Sequence, residues 1–485
     1  MIVQLILLIL FYVGCFITDA PETVMGITMI TLLYSIIAWI YHLAHQDKLY
    51  RNAICVSYII LLSLLVVNLQ TTLNVFFGVG EFTEYLKFNF QKYYFKCYYL
   101  GIISITAFML GCCYYKKGIG SNRNRISDDA APSVAIWLCL LPLVFFMFVI
   151  NINLAAFISG SDYVGSGGYQ REISTSSYYE QLLDVNIVII TAIMVKKIRH
   201  QSNFVDLRTF IASFPIVYWI VVVGYILLRL LSGDRGPVLY SLCLLFYAYI
   251  MCSHKKIGLV TAIVLIAIGA SFITTLGIVR GGDLNESFSE RVQTAITSEN
   301  DKAPSICSST QELANSVKST YIAVEDLETD RTNYTYGKYN LFALISCVPG
   351  SSFVLSKLLG INLRETLSAE YITISYMGYK YSFGLGTSAV AEFYLDGGLL
   401  FCIIGFILVG MLYRCVDEII LGNKRSYPVW IIIVALKLAS TAIYIGRASA
   451  ASSLAKALYC AIIFLALNFI VSLFQSKIKH IHGVR

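Results

Sequence analysis

Charged side chains are scarce in this chain of 485 residues, and this scarcity excludes an ordinary soluble domain. Asp, Glu, Lys and Arg make up 13% of the residues, whereas soluble domains carry roughly a quarter. Hydrophobic residues make up 57% and form runs such as 257–278 and 429–445, each close to the ~20 residues that cross a bilayer. These features predict an all-α, polytopic integral membrane protein.

Metal-binding and targeting signals are also lacking. The 13 cysteines follow no C-x-x-C or Cys/His spacing and lie mostly in apolar runs, which is typical of small buried side chains. The first apolar run, residues 2–17, has no basic start and no A-x-A exit, so we expect a retained span and not a signal peptide. The net charge of +7 is spread over loop ends, which gives no basis for nucleic-acid binding.

The apolar runs predict about twelve transmembrane helices, because only helices satisfy every backbone group in lipid without closing into a barrel. The sixth is the weakest, since Asp184 and Asn186 shorten its apolar stretch. The predicted spans lie near residues 2–18, 22–41, 53–69, 98–115, 134–158, 183–195, 210–231, 237–252, 257–279, 389–412, 428–446 and 450–474.

Lys and Arg are concentrated on alternate connecting segments, for example at Lys116, Lys117, Lys196 and Lys197. The positive-inside rule then places both termini in the cytoplasm. Three regions follow: helices 1–9 in residues 1–279, one large outer loop in 280–388, and helices 10–12 with a cytoplasmic C-terminus in 389–485. Within the loop, Pro349-Gly350 divides the apolar segment 341–359, which predicts two short helices on or in the outer leaflet.

Histidine is informative through its position. In the predicted topology every histidine falls on a cytoplasmic segment, so chemistry on the outer side must use carboxylates, Arg, Lys, Tyr or Ser. The six histidines are His42, His45, His200, His254, His480 and His482.

Three arginines are predicted at the outer ends of three helices. Arg235 follows Asp234 in the turn S-G-D-R-G-P, where glycines allow a ligand to approach the backbone and Pro237 is expected to begin the next helix. Arg280 ends the ninth span and Arg447 the eleventh. Planar guanidinium groups suit bidentate binding of phosphate or pyrophosphate. The alternative is that each arginine extends to the membrane surface and contacts lipid headgroups.

Two further ionisable residues lie inside predicted spans. Glu392, in the segment GLGTSAVAEFYLDGG with Tyr394 nearby, is a candidate general base or a partner that positions an arginine. Lys437 lies near the middle of its span and requires a partner or a water-filled cavity, so a structural ion pair and a catalytic role both remain open.

The turn S-G-D-R-G-P, the large late outer loop and the segment G-L-G-T-S-x-x-A-E-x-Y-x-D-G-G together resemble the Wzy family. These are bacterial O-antigen and oligosaccharide repeat-unit polymerases. The motifs lie in residues 210–415, and the rest of the chain is similar in topology only. The resemblance implies a GT-C-like fold in the bacterial inner membrane, with an active periplasmic face and undecaprenyl-pyrophosphate-linked oligosaccharides as donor and acceptor.

The resemblance also implies roles for individual residues. Arg235, Arg280 and Arg447 would stabilise the leaving pyrophosphate, so that no metal or other cofactor is needed. Glu392, or alternatively Asp234, would take the proton of the acceptor hydroxyl. Further contacts to pyrophosphate or glycan are expected from Arg364 and Tyr394. The family usually works with a separate chain-length regulator.

Two other functions share parts of this pattern. An O-antigen ligase has a similar architecture but is associated with a histidine in its outer loop, which this chain lacks. A flippase for the same lipid-linked unit would be expected to show paired halves and short loops, whereas this sequence has asymmetric halves and one long loop. Both considerations favour a polymerase.

Overall fold

Every regular element of the described residues is a helix. The computed structural model describes residues 1–79, 93–114, 134, 138, 175–201, 205–231, 235–269, 307–361, 366–379, 384–422 and 427–482. The helices are α1 (Ile2–Ile17), α2 (Glu22–Gln46), α3 (Val56–Phe76), α4 (Tyr94–Tyr114), α5 (Thr175–Gln201), α6 (Leu207–Ser213), α7 (Ile216–Leu231), α8 (Arg235–Ser253), α9 (Leu259–Gly269), α10 (Ser308–Ala314), α11 (Lys318–Glu328), α12 (Lys338–Ile345), α13 (Ser351–Leu359), α14 (Ser368–Met377), α15 (Ala389–Leu421), α16 (Val429–Thr441) and α17 (Ala450–His482).

Seven of these helices are long and apolar enough to cross a membrane. They are α2, α3, α4, α8, α15, α17, and α16 together with the turn after it. An eighth span results if α6 and α7 count as one, while α1 and α9 are shorter apolar helices. The predicted sixth span lies within α5, which is not among the seven. The predicted span 134–158 lies outside the described residues apart from Val134 and Leu138.

Two details of the prediction were wrong. Residues 210–231 do not form one straight span, because α6 and α7 meet at an angle of 102°; Pro215, at the junction, has no N–H to donate and disfavours helix at Phe214. The next helix begins at Arg235 and not at Pro237. Proline is therefore its third residue, still in the first turn, where the chain needs no intrahelical N–H donor.

The large loop contains the two short helices expected around Pro349-Gly350, namely α12 and α13. Gly350 has φ +82°, a conformation that glycine adopts without strain. Loop helices α10 and α11 pack at one end of the bundle: Asn74 near the end of α3 donates to Gln311 at 2.8 Å, and Lys96 pairs with Glu328 at 2.8 Å. We call this end of the bundle the loop end.

The centre of the bundle is formed by α4 and α15, which cross at two glycines. A Cβ atom on Gly111 would lie 2.1 Å from the carbonyl oxygen of Ile407, and one on Gly410 would lie 2.3 Å from that of Phe108. Small residues permit such close backbone contact, which is a common way of packing helices in membranes. This crossing fixes α15, and α15 carries Glu392 to the loop end.

At the opposite end, a buried carboxylate joins α15 to the start of α3. Asp417 accepts hydrogen bonds from the backbone N–H groups of Val56 (2.6 Å) and Ser57 (3.3 Å) and from the hydroxyls of Ser57 (2.5 Å) and Tyr50 (3.0 Å). These contacts satisfy donors of the first turn of α3, as an N-terminal cap does. Both ends of α15 are therefore held by polar contacts.

Candidate functional site

Glu392 lies in the first turn of α15, which Ser388 begins by accepting a hydrogen bond from the N–H of Ala391 at 3.0 Å. The Glu392 side chain is 2% exposed. Ser368, at the start of α14, donates to one carboxylate oxygen at 2.6 Å, and Ser449 donates to the other at 2.6 Å. We call these three residues the serine clasp; it joins α15, the large loop and the start of α17.

The serine clasp holds the chain turn that carries Arg447. After α16 the chain forms a 3-10 turn, Ala442–Arg447, and Ser449 then begins α17 by accepting from the N–H of Ser452 at 3.0 Å. The other side of the turn contacts α3, since the N–H of Gly446 donates to Ser63 Oγ at 3.1 Å. A Cβ atom on Gly446 would lie 2.9 Å from the Ser63 carbonyl oxygen. The half-buried Arg447 thus lies on a turn held from both sides.

A second buried carboxylate lies one turn deeper in α15. Asp396 is 0% exposed and accepts from the backbone N–H groups of Tyr339 and Asn340, both at 3.0 Å, and from the side chains of Asn340 (2.6 Å) and Thr335. It therefore caps the N-terminus of α12 from another helix. Directly after it, Gly397 and Gly398 interrupt the helix, and the freed Leu395 carbonyl accepts from Thr335 N–H at 3.0 Å.

A third carboxylate orders the loop itself. Asp326, near the end of α11, is 1% exposed and accepts from Tyr371 Oη at 2.8 Å and Ser375 Oγ at 2.5 Å on α14. Burial, together with the neighbouring carboxylate, raises the pKa of Tyr371 above its ordinary value, so its hydroxyl stays protonated and donates. Among the described residues, the loop end thus has three buried carboxylates, and each accepts from at least one hydroxyl group of the loop.

The aromatic candidate Tyr394 is buried, 3% exposed. Its ring centroid lies 6.3 Å from that of Phe16 and 6.5 Å from that of Tyr334 in the loop. A Cβ atom on Gly398 would lie 3.1 Å from the Tyr334 hydroxyl oxygen, so the helix break leaves room for this tyrosine. Tyr394 therefore contacts the loop segment that docks on the interrupted part of α15.

The basic candidates are only partly described. Arg235 is the first residue of α8, but its side chain, and all of Asp234, Arg280 and Arg364, lie outside the described residues. The structure therefore brings Glu392 and the Arg447 turn together, with Tyr394 half a turn further along α15. The relation of the other predicted site residues to this group remains a prediction.

Several contacts could not be identified in advance. Ser368 and Ser449 were not singled out, because serine is common and the two lie 24 and 57 residues from Glu392 in sequence. The partner of Lys437 is Asp184, with Nζ and Oδ2 2.5 Å apart; the ion pair expected as one alternative is therefore present. Each residue is an isolated charge in an apolar stretch, which signals that it needs a partner but not which residue the partner is.

These features define a multi-span helical membrane protein whose loop end is ordered by buried carboxylates and carries a basic turn. The chain matches a family model described as O-antigen polysaccharide polymerase Wzy over residues 1–478, nearly its whole length. It belongs to this family, as the sequence motifs predicted. No curated protein and no solved structure matches the chain. Membership implies a polymerase of glycosyltransferase type that acts on lipid-linked oligosaccharide repeat units.

Proposed function

We propose that this protein polymerises undecaprenyl-pyrophosphate-linked repeat units at the periplasmic face of the bacterial inner membrane, in O-antigen or capsule biosynthesis. The single observation that carries the proposal is the family match over residues 1–478. The proposed arrangement has about twelve spans in a GT-C-like fold, both termini in the cytoplasm, and the loop end in the periplasm. A separate chain-length regulator is a proposed partner; nucleic acid is not.

In the proposed reaction, a hydroxyl oxygen of the incoming repeat unit attacks the anomeric carbon at the lipid-linked end of the growing glycan. The bond from that carbon to the pyrophosphate oxygen breaks, and its electron pair leaves with the undecaprenyl pyrophosphate. The hydroxyl proton passes to a base. Negative charge thus develops on the leaving pyrophosphate, and cationic groups placed there lower the barrier.

We assign the stabilisation of the pyrophosphate to Arg447, Arg235 and Arg280, without a metal or other cofactor. The Arg447 turn supports this assignment, because it is anchored to α3 through Gly446 and to α15 through Ser449. A cation held in place needs little reorganisation when the leaving group becomes charged. Arg364 and Tyr394 are proposed as further contacts to the pyrophosphate or the glycan.

Glu392 has two candidate roles. As the general base it would have to release Ser368 or Ser449, because each carboxylate oxygen accepts from one of them; Asp234 is the alternative base. As a positioning residue it would act through Ser449, which lies two residues after Arg447. The described contacts favour positioning, since they account for both oxygens.

Replacement of arginine at the loop end tests the proposal in cells. Arg235→Ala and Arg447→Ala should leave surface glycan as single repeat units, with the protein still folded in the membrane. Arg208→Ala is the matched control, since Arg208 is an exposed residue at the start of α6 and lies at the opposite end of the bundle. Long chains in both Arg235→Ala and Arg447→Ala cells would disprove the assignment.

The alternatives predict different results. A ligase would attach glycan to a second, lipid acceptor without lengthening it, and its loss would leave long lipid-linked chains. A flippase would carry repeat units across the membrane without joining them. The absence of histidine from the predicted outer segments weighs against the ligase, and the single long loop weighs against the flippase.

A further inference from the structure

Five charged side chains from four helices meet inside the bundle, apart from the serine clasp. They are Glu180 and Asp184 on α5, Arg229 on α7, Lys437 on α16 and Lys456 on α17. We call them the intramembrane cluster. Lys437 and Lys456 lie within candidate membrane spans, where a charge is costly unless it is paired or hydrated.

Four of the five charges form ion pairs. Arg229 pairs with Glu180, which also accepts from Tyr225 Oη at 2.9 Å. Lys437, whose side chain is 5% exposed, pairs with Asp184 at 2.5 Å. Two carboxylates are thereby matched by two cations. Lys456 forms no ion pair within the described part of the chain, so the cluster has one positive charge in excess.

Lys456 lies at the edge of the protein-facing side of α17. Of the residues one turn away, Ser453 and Cys460 are 7% and 1% exposed, while Ser452 and Tyr459 are half-buried; Lys456 itself is exposed. Its ammonium group lies within electrostatic range of Lys437, Asp184 and Glu180. The Lys456 ammonium group is therefore accessible from outside the protein. The Asp184 side chain, 38% exposed, is partly accessible as well.

An excess cation in an apolar region is stabilised by an anion placed beside it. Lys456 lies about two helical turns after the first residue of α17, within a candidate membrane span, so the molecules that reach its exposed side chain are lipids. The anionic group that lipids carry is phosphate, and an ammonium group binds phosphate as a point charge with up to three donors. We propose that Lys456, with Lys437 and Asp184 beside it, binds the phosphate group of a lipid entering between α5, α16 and α17.

This proposal depends on charge balance and not on the polymerase reaction. Two sources share the required chemistry: a membrane phospholipid, and a polyprenyl lipid that carries pyrophosphate. Undecaprenyl pyrophosphate and phosphatidylglycerol therefore serve as separate probes. Diacylglycerol has no phosphate and controls for the effect of the acyl chains.

The first experiment uses the unmodified protein in detergent with an amine-acylating reagent and mass spectrometry. Either phosphate lipid should protect Lys456 from acylation, and diacylglycerol should not. Protection by undecaprenyl pyrophosphate alone would identify a substrate-lipid site, whereas protection by both would identify a general phospholipid site. Lys357, exposed on α13, is the internal control and should react equally throughout. Equal labelling of Lys456 with and without phosphate lipid would overturn the proposal.

The second experiment measures lipid affinity in variants. Lys456→Gln should weaken binding of the protecting lipid about tenfold, as expected for loss of one charge-assisted contact. Lys456→Arg should retain the binding, and Lys357→Gln should leave it unchanged. Affinity of Lys456→Gln equal to that of the unmodified protein would also overturn the proposal. If Lys456→Gln does not fold, the labelling experiment decides, since it requires no substitution.

Discussion

The hydroxyl of Ser449 donates to the carboxylate of Glu392 across 2.6 Å. This contact joins the start of α17 to α15, the helix that follows the large loop. Ser449 lies two residues after Arg447. Glu392 is thus connected to the basic turn through the Ser449 hydroxyl. The buried carboxylate of Glu392 therefore helps to hold the Arg447 turn in place.

Ser449→Ala tests this connection. The change leaves one carboxylate oxygen of Glu392 without a donor, and an unsatisfied buried group costs about 1–3 kcal/mol. We expect a lower free energy of unfolding in detergent and shorter glycan. Ser472→Ala on the same helix is the control, because Ser472 is exposed and donates only to the carbonyl of Phe469. Full-length glycan from Ser449→Ala would show that the contact does not position Arg447.

Glu392→Gln separates the two proposed roles of this residue. Glutamine keeps one acceptor oxygen, so the clasp is half preserved, but it cannot accept a proton from the acceptor hydroxyl. A positioning role predicts a similar partial loss of chain length in Glu392→Gln and Ser449→Ala. A general base predicts that Glu392→Gln abolishes polymer while Ser449→Ala does not. Glycan ladders from cells at equal protein level distinguish these outcomes.

Gly111→Ala and Gly410→Ala should both destabilise the fold, because a methyl group at either position would collide with backbone of the other helix. Backbone cannot move aside as a side chain can, so we expect the upper part of the ~1–3 kcal/mol range for overpacking. Gly26→Ala on α2 is the control, since its added Cβ would meet nothing within 4 Å. Denaturant titration in detergent measures all three. Unchanged stability of Gly111→Ala would contradict the close crossing.

Asp184→Asn should be strongly destabilising, since it leaves the buried Lys437 ammonium without its partner. Breaking one side of a fully buried pair costs about 3–5 kcal/mol, and the partial exposure of Asp184 places this pair at or below the lower end of that range. The double variant Asp184→Asn with Lys437→Met removes both charges and should recover most of that loss. The free energies of unfolding of the two single variants and the double variant complete the cycle. Additive losses would show that the two side chains do not interact.

Much of the fold follows from apolar runs alone. The helices α1, α2, α3, α4 and α8 all overlap predicted spans, because the length of an apolar run is a local property of the sequence. Several helices extend beyond the predicted ends, for example α2 to Gln46 and α15 to Leu421. A helix can continue outside the hydrocarbon with polar residues, so hydropathy does not mark where it ends.

Contacts between distant segments could not be predicted in this way. Asp184 and Lys437 are 253 residues apart, and nothing local indicates which charge in one helix meets which charge in another. The same holds for Asp417, which caps α3 although it lies 361 residues away from Val56 in sequence. Glu392 was identified because a carboxylate just inside a span is unusual; its serine partners have no comparable signal.

The most direct test of the central claim is a reaction with purified protein. The protein in detergent is given undecaprenyl-pyrophosphate-linked repeat units alone, and the products are separated by size. We predict a ladder of glycans longer than one repeat unit, which is absent with Arg447→Ala and present with Arg208→Ala. Repeat units that remain single with the folded, unmodified protein would contradict the assignment of polymerase activity.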